Sequence, residues 1–177
     1  MPARTSRRRS PFALATSIVA AATVSLLVSP TAAWARGDGW EPLEVAPFDA
    51  PGCGTTLHIS FPVNREYVRQ SPGPDGTIIL QFTGSLFVTF TTDAGESITV
   101  NASGPGMDVV YPNGDFEVHA EGWNVQGPLT PEQAADLGTP ELFASTGLLD
   151  FTFNSDGSAT PISIPNHVID LCAELVG

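Results

Sequence analysis

From Thr55 onward, apolar and polar residues alternate along the chain in short runs. A period of two is typical of strands that bury one face and leave the other face in water. The apolar positions of these runs are Leu57, Ile59 and Phe61; Ile78, Leu80 and Phe82; Leu86, Val88 and Phe90; Ile98, Val100 and Ala102; Phe116, Val118 and Ala120; and Phe151 with Phe153. The pattern therefore predicts a mainly β structure.

Turn-forming residues separate these runs. Asp-Gly and Asn-Gly pairs supply the positive φ angles that tight hairpins need. Such turns are centred at Asp75-Gly76, Gly84, Gly95, Pro105, Asn113-Gly114 and Asp156-Gly157. Short strands joined by hairpins predict an all-β fold, an antiparallel meander barrel or sandwich of about eight strands. The even hairpin rhythm favours the barrel.

Two segments have helical signals instead. Thr130 followed by Pro131 and an acidic first turn is typical of a helix N-terminus, and Gly138 marks the end of that helix. We expect a short helix over Pro131–Leu137. A second helix is predicted at the C-terminus, with Asn166 as its cap and an apolar stripe of Val168, Ile169, Leu171, Cys172 and Leu175.

The first 35 residues have the three parts of a secretory signal peptide. Four arginines at positions 4, 7, 8 and 9 precede an apolar run over 12–28, and Ala33-Trp34-Ala35 places small residues before a cleavage site after Ala35. The alternative is a membrane anchor, but the apolar run is shorter than the roughly 20 residues that span a bilayer. The context of Arg8-Arg9 favours the general secretory route over the twin-arginine route. We expect a signal peptide (1–35), a lead-in (36–54) and one β domain (55–177).

Cleavage changes the charge of the protein strongly. The full chain has 7 basic and 19 acidic residues and a net charge of −12. Four arginines leave with the signal peptide, so three arginines face all nineteen acids and the net charge becomes −16. Such a surface excludes nucleic-acid binding, which needs cations to displace counterions, and disfavours anionic membranes. The charge keeps an exported protein soluble or attracts cations or a basic partner.

The two cysteines, Cys53 and Cys172, predict one disulfide, because an exported chain with a single pair usually oxidises it. The bond would join the start of the β domain to its end. By the chain-entropy estimate, a loop of this length restricts the unfolded state by roughly 4–5 kcal/mol.

The richest group of candidate functional residues lies in one predicted strand. Asp115, Glu117, His119 and Glu121 alternate with apolar residues and would point to one face. Carboxylates and an imidazole two residues apart are able to share a metal ion. The alternative is an ordinary solvent face of an acidic protein. His119 with its neighbouring carboxylates is also the candidate for acid–base catalysis.

Three further features are candidates for ligand contact. His58 faces away from the core residues of its strand and could pair with His119 across a sheet. Trp123 is a candidate ligand contact, with core packing as the alternative. The stretch from Arg65 to Arg69 would form either an anion-binding surface or an edge strand whose charges discourage aggregation.

The arginine-rich signal, the absence of lysine, the acidic mature part rich in Ala, Gly and Pro, and the Cys53/Cys172 pair resemble small exported proteins of high-GC Gram-positive bacteria. The resemblance implies a source and a compartment. It transfers no activity and no functional residue.

These features lead to an expected function. We expect a secreted, acidic β-barrel or sandwich protein, without stable membrane anchor or cofactor, that is not an enzyme and binds a small molecule or an extracellular protein. The first alternative is a metal-assisted or acid–base enzyme that uses the face of Glu117, His119 and Glu121. The second is a structural surface protein without a small-molecule site.

Overall fold

Two long antiparallel strands organise the fold. The structure, a computed structural model, describes residues 39–177. Strand β3 runs over Thr55–Pro72 and strand β4 over Ile78–Thr92, joined by a 3-10 turn at Pro74–Gly76. Their register shifts between Ser60 and Val63. Such a bulge bends a strand, and here it divides the hairpin into two halves with different neighbours.

The remaining strands of the large sheet flank these two halves. They are β1 (Glu41–Pro42), β2 (Phe48–Gly52), β5 (Ser97–Asn101), β6 (Gly106–Val110), β7 (Phe116–Ala120), β10 (Leu149–Phe153) and β11 (Ala159–Ser163). The order is β1-β3-β4-β6-β7-β10-β11, and β2 and β5 add to β3 and β4 in the other half of the hairpin. All pairs are antiparallel, as hairpin connections require.

A second, small sheet packs against the large sheet. It has the order β12-β9-β8, from β8 (Asn124–Gln126), β9 (Phe143–Ser145) and β12 (Val168–Asp170). Every residue of β9 is buried. Phe143 packs with Val118 and Phe151 in one core cluster, whereas Ala144 packs with Leu57 and Phe90 in the other. The central strand therefore joins two hydrophobic cores.

Both predicted helices form, and the second begins later than predicted. Helix α1 spans Pro131–Leu137; Thr130 Oγ1 accepts a hydrogen bond from Gln133 N at 3.2 Å, and Gly138 ends the helix with a φ of 67°. Helix α2 spans Leu171–Val176 and is capped by Asp170, not by Asn166. The reason is tertiary pairing, because residues 168–170 form strand β12 with β9.

The predicted disulfide is confirmed. Cys53 and Cys172 are bonded, with their Cα atoms 5.1 Å apart and a sequence separation of 119. The bond ties the β2–β3 turn to helix α2, beside the core cluster of Leu57 and Leu171.

The antiparallel all-β class is confirmed, whereas the preference for a closed barrel is wrong. Within residues 39–177 the two edges of the large sheet do not pair, and the small sheet closes the core as a sandwich. The predicted signal peptide, 1–35, lies outside the described residues. The predicted lead-in supplies β1 and β2, which both pair with β3. No helix in the described part of the chain is long and apolar enough to cross a membrane.

Candidate functional site

His119 lies between two carboxylates on the outer face of the large sheet. Its Nδ1 is 3.0 Å from Asp150 Oδ1, and its Nε2 is 3.6 Å from Glu117 Oε1. The side chains of His119, Glu117 and Asp150 are only 31%, 20% and 14% exposed. The histidine is therefore held in a sheltered acidic position, not on a fully exposed surface.

Tyr111 extends this arrangement to four side chains. Its hydroxyl donates to Glu117 Oε2 at 2.6 Å, and this hydrogen bond raises the pKa of the tyrosine. We call Tyr111, Glu117, His119 and Asp150 the outer cluster. Sequence reasoning identified Glu117 and His119 but missed Asp150, because Asp150 comes from β10, and only the β7–β10 register places it opposite His119.

The other two predicted metal ligands lie apart from this cluster. Asp115 accepts hydrogen bonds from Ser155 N at 2.9 Å and from Asn113 Nδ2 at 2.8 Å, and these bonds lower its pKa. Glu121 is exposed. Over residues 39–177, no group of three or more His, Cys, Asp or Glu side chains is placed to hold a metal ion. The structure thus does not bring the four predicted ligands together, because Asp115 belongs to the β6–β7 turn and Glu121 follows the end of β7.

The outer cluster continues across the sheet as a row of mainly polar side chains. The register places Arg69, Gln81, Met107, His119 and Asp150 opposite one another on five successive strands. Arg69 Nε donates to Gln81 Oε1 at 3.0 Å, and its guanidinium lies 4.9 Å from the ring centre of Trp40. Arg69 is therefore already engaged by Gln81 and Trp40.

His58 does not pair with His119. Its cross-strand neighbour on β4 is Thr91, ten positions from Gln81, which lies in the row of His119. His58 lies instead between Asp49 at 2.8 Å and Asp93 at 3.2 Å, and the hydrogen bond with Asp49 is the largest cause that raises the pKa of His58. The side chain of His58 is 47% exposed, so His58, Asp49 and Asp93 form an ion-pair triad on the surface.

Trp123 is not a core residue. Its side chain is 46% exposed, whereas the next residue, Asn124, is buried and accepts a hydrogen bond from Ser145 Oγ at 2.8 Å. Trp123 lies in the bend before β8, whereas Asn124 is the first residue of that strand. Trp123 is thus free to meet a ligand, but it lies outside the groove described next.

A groove of about 780 Å³ opens along the edge of β3. Residues 42–46 line one side and residues 64–67 line the other. The segment after β1 stays paired with β3 as far as Leu43, whose N donates to Glu66 O at 2.8 Å. This segment pairs with β3 again only in β2. Between these points lies the bulge of β3, which leaves residues 44–47 without a strand partner. We call this feature the edge groove.

Glu66 lies at the wall of the edge groove and is only 6% exposed. Its side chain points to the same face as that of Asn64, whose amide donates to Leu43 O at 2.7 Å. The cross-strand neighbour of Glu66 is Gly84, which has no side chain to offer. Within the described residues the carboxyl forms no hydrogen bond or ion pair, and burial raises the pKa of Glu66 to about 7.

Sequence reasoning missed Glu66, although one signal was present. The stretch from Arg65 to Arg69 was predicted as an exposed charged strand at a sheet edge or an anion site. Alternation puts Arg65, Tyr67 and Arg69 on one face and leaves Glu66 on the other. β1 covers part of this side of β3 by pairing with Tyr67 and Val68, and the edge groove opens beside the rest.

Comparisons with protein family models, with curated proteins and with solved structures find no match for this chain. The function is therefore argued from the geometry of the edge groove and of the outer cluster.

Proposed function

We propose that this chain is an exported, non-enzymatic binding protein that holds a small ligand in its edge groove. The observation that carries the proposal is Glu66, a residue only 6% exposed, whose carboxyl forms no hydrogen bond or ion pair in the described chain and lies at the wall of an open groove. Small-molecule sites combine mostly apolar walls with a few placed polar groups.

The edge groove meets this description in size, and its lining combines apolar with polar groups. Its volume of about 780 Å³ falls within the range of roughly 300–1,000 Å³ for ligand sites. Pro42, Leu43, Val45 and Ala46 supply apolar surface. Holding a carboxyl in a mostly desolvated position costs free energy, and a ligand with a hydrogen-bond donor would offset that cost.

Three features support action outside the cell. The predicted signal peptide directs export, the Cys53–Cys172 disulfide is typical of oxidising compartments, and a strongly negative mature chain suits a dispersed, soluble protein. Secretion is tested by expressing the full chain and sequencing the N-terminus of the product in the medium. A product that stays in the cell with residues 1–35 attached would contradict it.

The binding proposal is tested with isotope-labelled protein and a library of small-molecule fragments. We expect some fragments to shift amide signals of residues 42–46 and 64–67. Ala46→Trp should fill the groove and abolish these shifts, whereas Ala135→Trp on the exposed side of α1 should leave them unchanged. If no fragment perturbs the groove, the structural surface protein becomes the better description.

An acid–base enzyme is the second candidate, and the outer cluster supports it. Asp150 lies 3.0 Å from His119 Nδ1, a contact by which a carboxylate orients a catalytic imidazole. The test is turnover of fluorogenic esters, phosphoesters and glycosides, with His119→Asn as the inactivating variant and His58→Asn as the control. Absence of turnover with wild-type protein, or equal turnover in both variants, would remove this candidate.

A further inference from the structure

Three hydrogen bonds link Leu43, Asn64 and Glu66 at the edge groove. Leu43 N donates to Glu66 O, Asn64 Nδ2 donates to Leu43 O, and Glu66 N donates to Asn64 Oδ1 at 3.2 Å. The Asn64 amide, Leu43 N and O, and Glu66 N and O are therefore occupied, whereas the side chains of Glu44, Arg65 and Tyr67 are exposed to water. Among the groove residues Glu66 is the buried one, its carboxyl remains for a ligand, and an ionised carboxylate only accepts hydrogen bonds. The ligand must therefore bring a donor.

No cation of the described chain pairs with this carboxyl. Arg65 lines the groove but alternates to the other face of β3 and forms no ion pair with Glu66, and Arg69 is engaged by Gln81 and Trp40. The sequence contains no lysine. The ion pairs found among residues 39–177 all involve histidine, so an ionised Glu66 has no charged partner within those residues.

The kind of cation follows from the rest of the groove. A metal ion would need several converging ligands, and no suitable group exists in the described part of the chain. Leu43 and Val45 line the groove beside Glu66 and offer an apolar surface to an alkyl chain. A charge-assisted hydrogen bond is about twice as strong as a neutral one, so an ammonium group suits the buried carboxylate better than a hydroxyl group.

We infer that the edge groove selects a small primary alkylammonium ion, with its nitrogen on the Glu66 carboxylate and its alkyl chain against Leu43 and Val45. This inference rests on the proposed function, since it names the ligand class of the same groove. The negative charge of the mature protein concentrates cations near its surface and so favours the same class.

Binding of this ion depends on pH in a defined direction. An alkylammonium ion stays charged to about pH 10, whereas burial raises the pKa of Glu66 to about 7. The other ionisable groups that line the groove are Glu44, Arg65 and Tyr67. Because Glu66 must lose its proton to pair with the ligand, affinity should rise about tenfold between pH 6 and pH 8.

The experiment is an NMR titration of the mature protein with n-butylammonium chloride at pH 6 and pH 8. We expect shifts in residues 42–46 and 64–67, a dissociation constant in the millimolar range and tighter binding at pH 8. Glu66→Gln should weaken binding about tenfold or more at pH 8. Glu121→Gln, at an exposed site away from the groove, should leave it unchanged and so controls for the loss of one negative charge.

Two results would overturn the inference: no shift with n-butylammonium, or equal binding by wild type and Glu66→Gln. n-Butanol, the neutral analogue, distinguishes failure of the ammonium inference from failure of the binding function. If n-butanol or another neutral fragment shifts the groove residues but n-butylammonium does not, the binding function stands and the ammonium inference fails. If no fragment shifts these residues, both fail.

Discussion

Replacing Glu66 with glutamine should stabilise the folded protein at alkaline pH and leave it almost unchanged at acidic pH. The amide has nearly the shape of the carboxyl but cannot ionise. In the folded protein, burial raises the pKa of Glu66 from an ordinary value of 4.5 to about 7. The folded state therefore holds this proton more tightly than the unfolded chain does.

The sign and size of the effect follow from that difference. The stabilising contribution of the protonated Glu66 is complete below about pH 4.5, declines as the pH rises and is lost above about pH 7. The interval between 4.5 and about 7 corresponds to roughly 3 kcal/mol. Water in the open groove relaxes around the charge, so roughly 3 kcal/mol is the upper limit of the gain that Glu66→Gln gives at pH 8.

Urea unfolding monitored by tryptophan fluorescence measures this difference at pH 5, 6, 7 and 8. The free energy of unfolding of Glu66→Gln should exceed that of wild type increasingly with pH. Glu44→Gln is the matched control, because Glu44 lines the same groove but is exposed. A gain for Glu66→Gln that is the same at pH 5 and pH 8 would refute the assignment of a buried, raised-pKa carboxyl.

Three other predictions concern the disulfide, a helix cap and a histidine. Reduction of the Cys53–Cys172 bond should lower the free energy of unfolding by about 4–5 kcal/mol, since the bond spans 119 positions; urea unfolding with and without reductant measures the loss. Thr130→Ala should cost about 1 kcal/mol in thermal or urea unfolding, because its hydroxyl accepts the Gln133 N–H at the start of α1. Asp49→Asn should lower the pKa of His58, followed by the imidazole proton signals in an NMR titration, because the hydrogen bond with Asp49 is the largest cause that raises it.

Each of these predictions has a result that contradicts it. Equal unfolding midpoints with and without reductant would show that the disulfide adds no stability. Thr146→Ala, at an exposed site outside the helices and strands, is the control for the cap. An equal loss of unfolding free energy in both variants would show that the Thr130 cap does not stabilise α1. An unchanged His58 titration in Asp49→Asn would mean that the contact between the two residues is absent in solution.

Local patterns in the sequence account for the parts of the fold that were predicted correctly. The alternation over Phe116–Ala120 predicts β7 because the period of two is a property of consecutive residues. The Thr130 cap and Gly138 bound helix α1 for the same reason. Asn166 failed as a helix cap, because the pairing of Val168–Asp170 with β9 is a long-range interaction that outweighs a local capping preference.

The candidate sites depend more on long-range contacts, so the sequence predicted them less completely. Glu117 and His119 follow from alternation, but their link to Asp150 requires the order of strands β7 and β10. The inward direction of Glu66 is visible in the alternation of its own strand. Its burial is not, because that depends on β1 and residues 43–46 folding across the edge of β3.

Asp108 provides an internal comparison that separates ligand binding from the general cost of burying an acid. It lies on β6 opposite Leu80 and Val118, and burial raises its pKa to about 7, while the charge of His119 acts in the opposite direction. Asp108 does not line the edge groove. Asp108→Asn should therefore stabilise the protein above pH 7, as Glu66→Gln does, but leave n-butylammonium binding intact. If both substitutions abolished binding, the effect of Glu66→Gln would be an indirect consequence of altering a buried charge; if only Glu66→Gln does so, the carboxyl at the groove is the group that the ligand contacts.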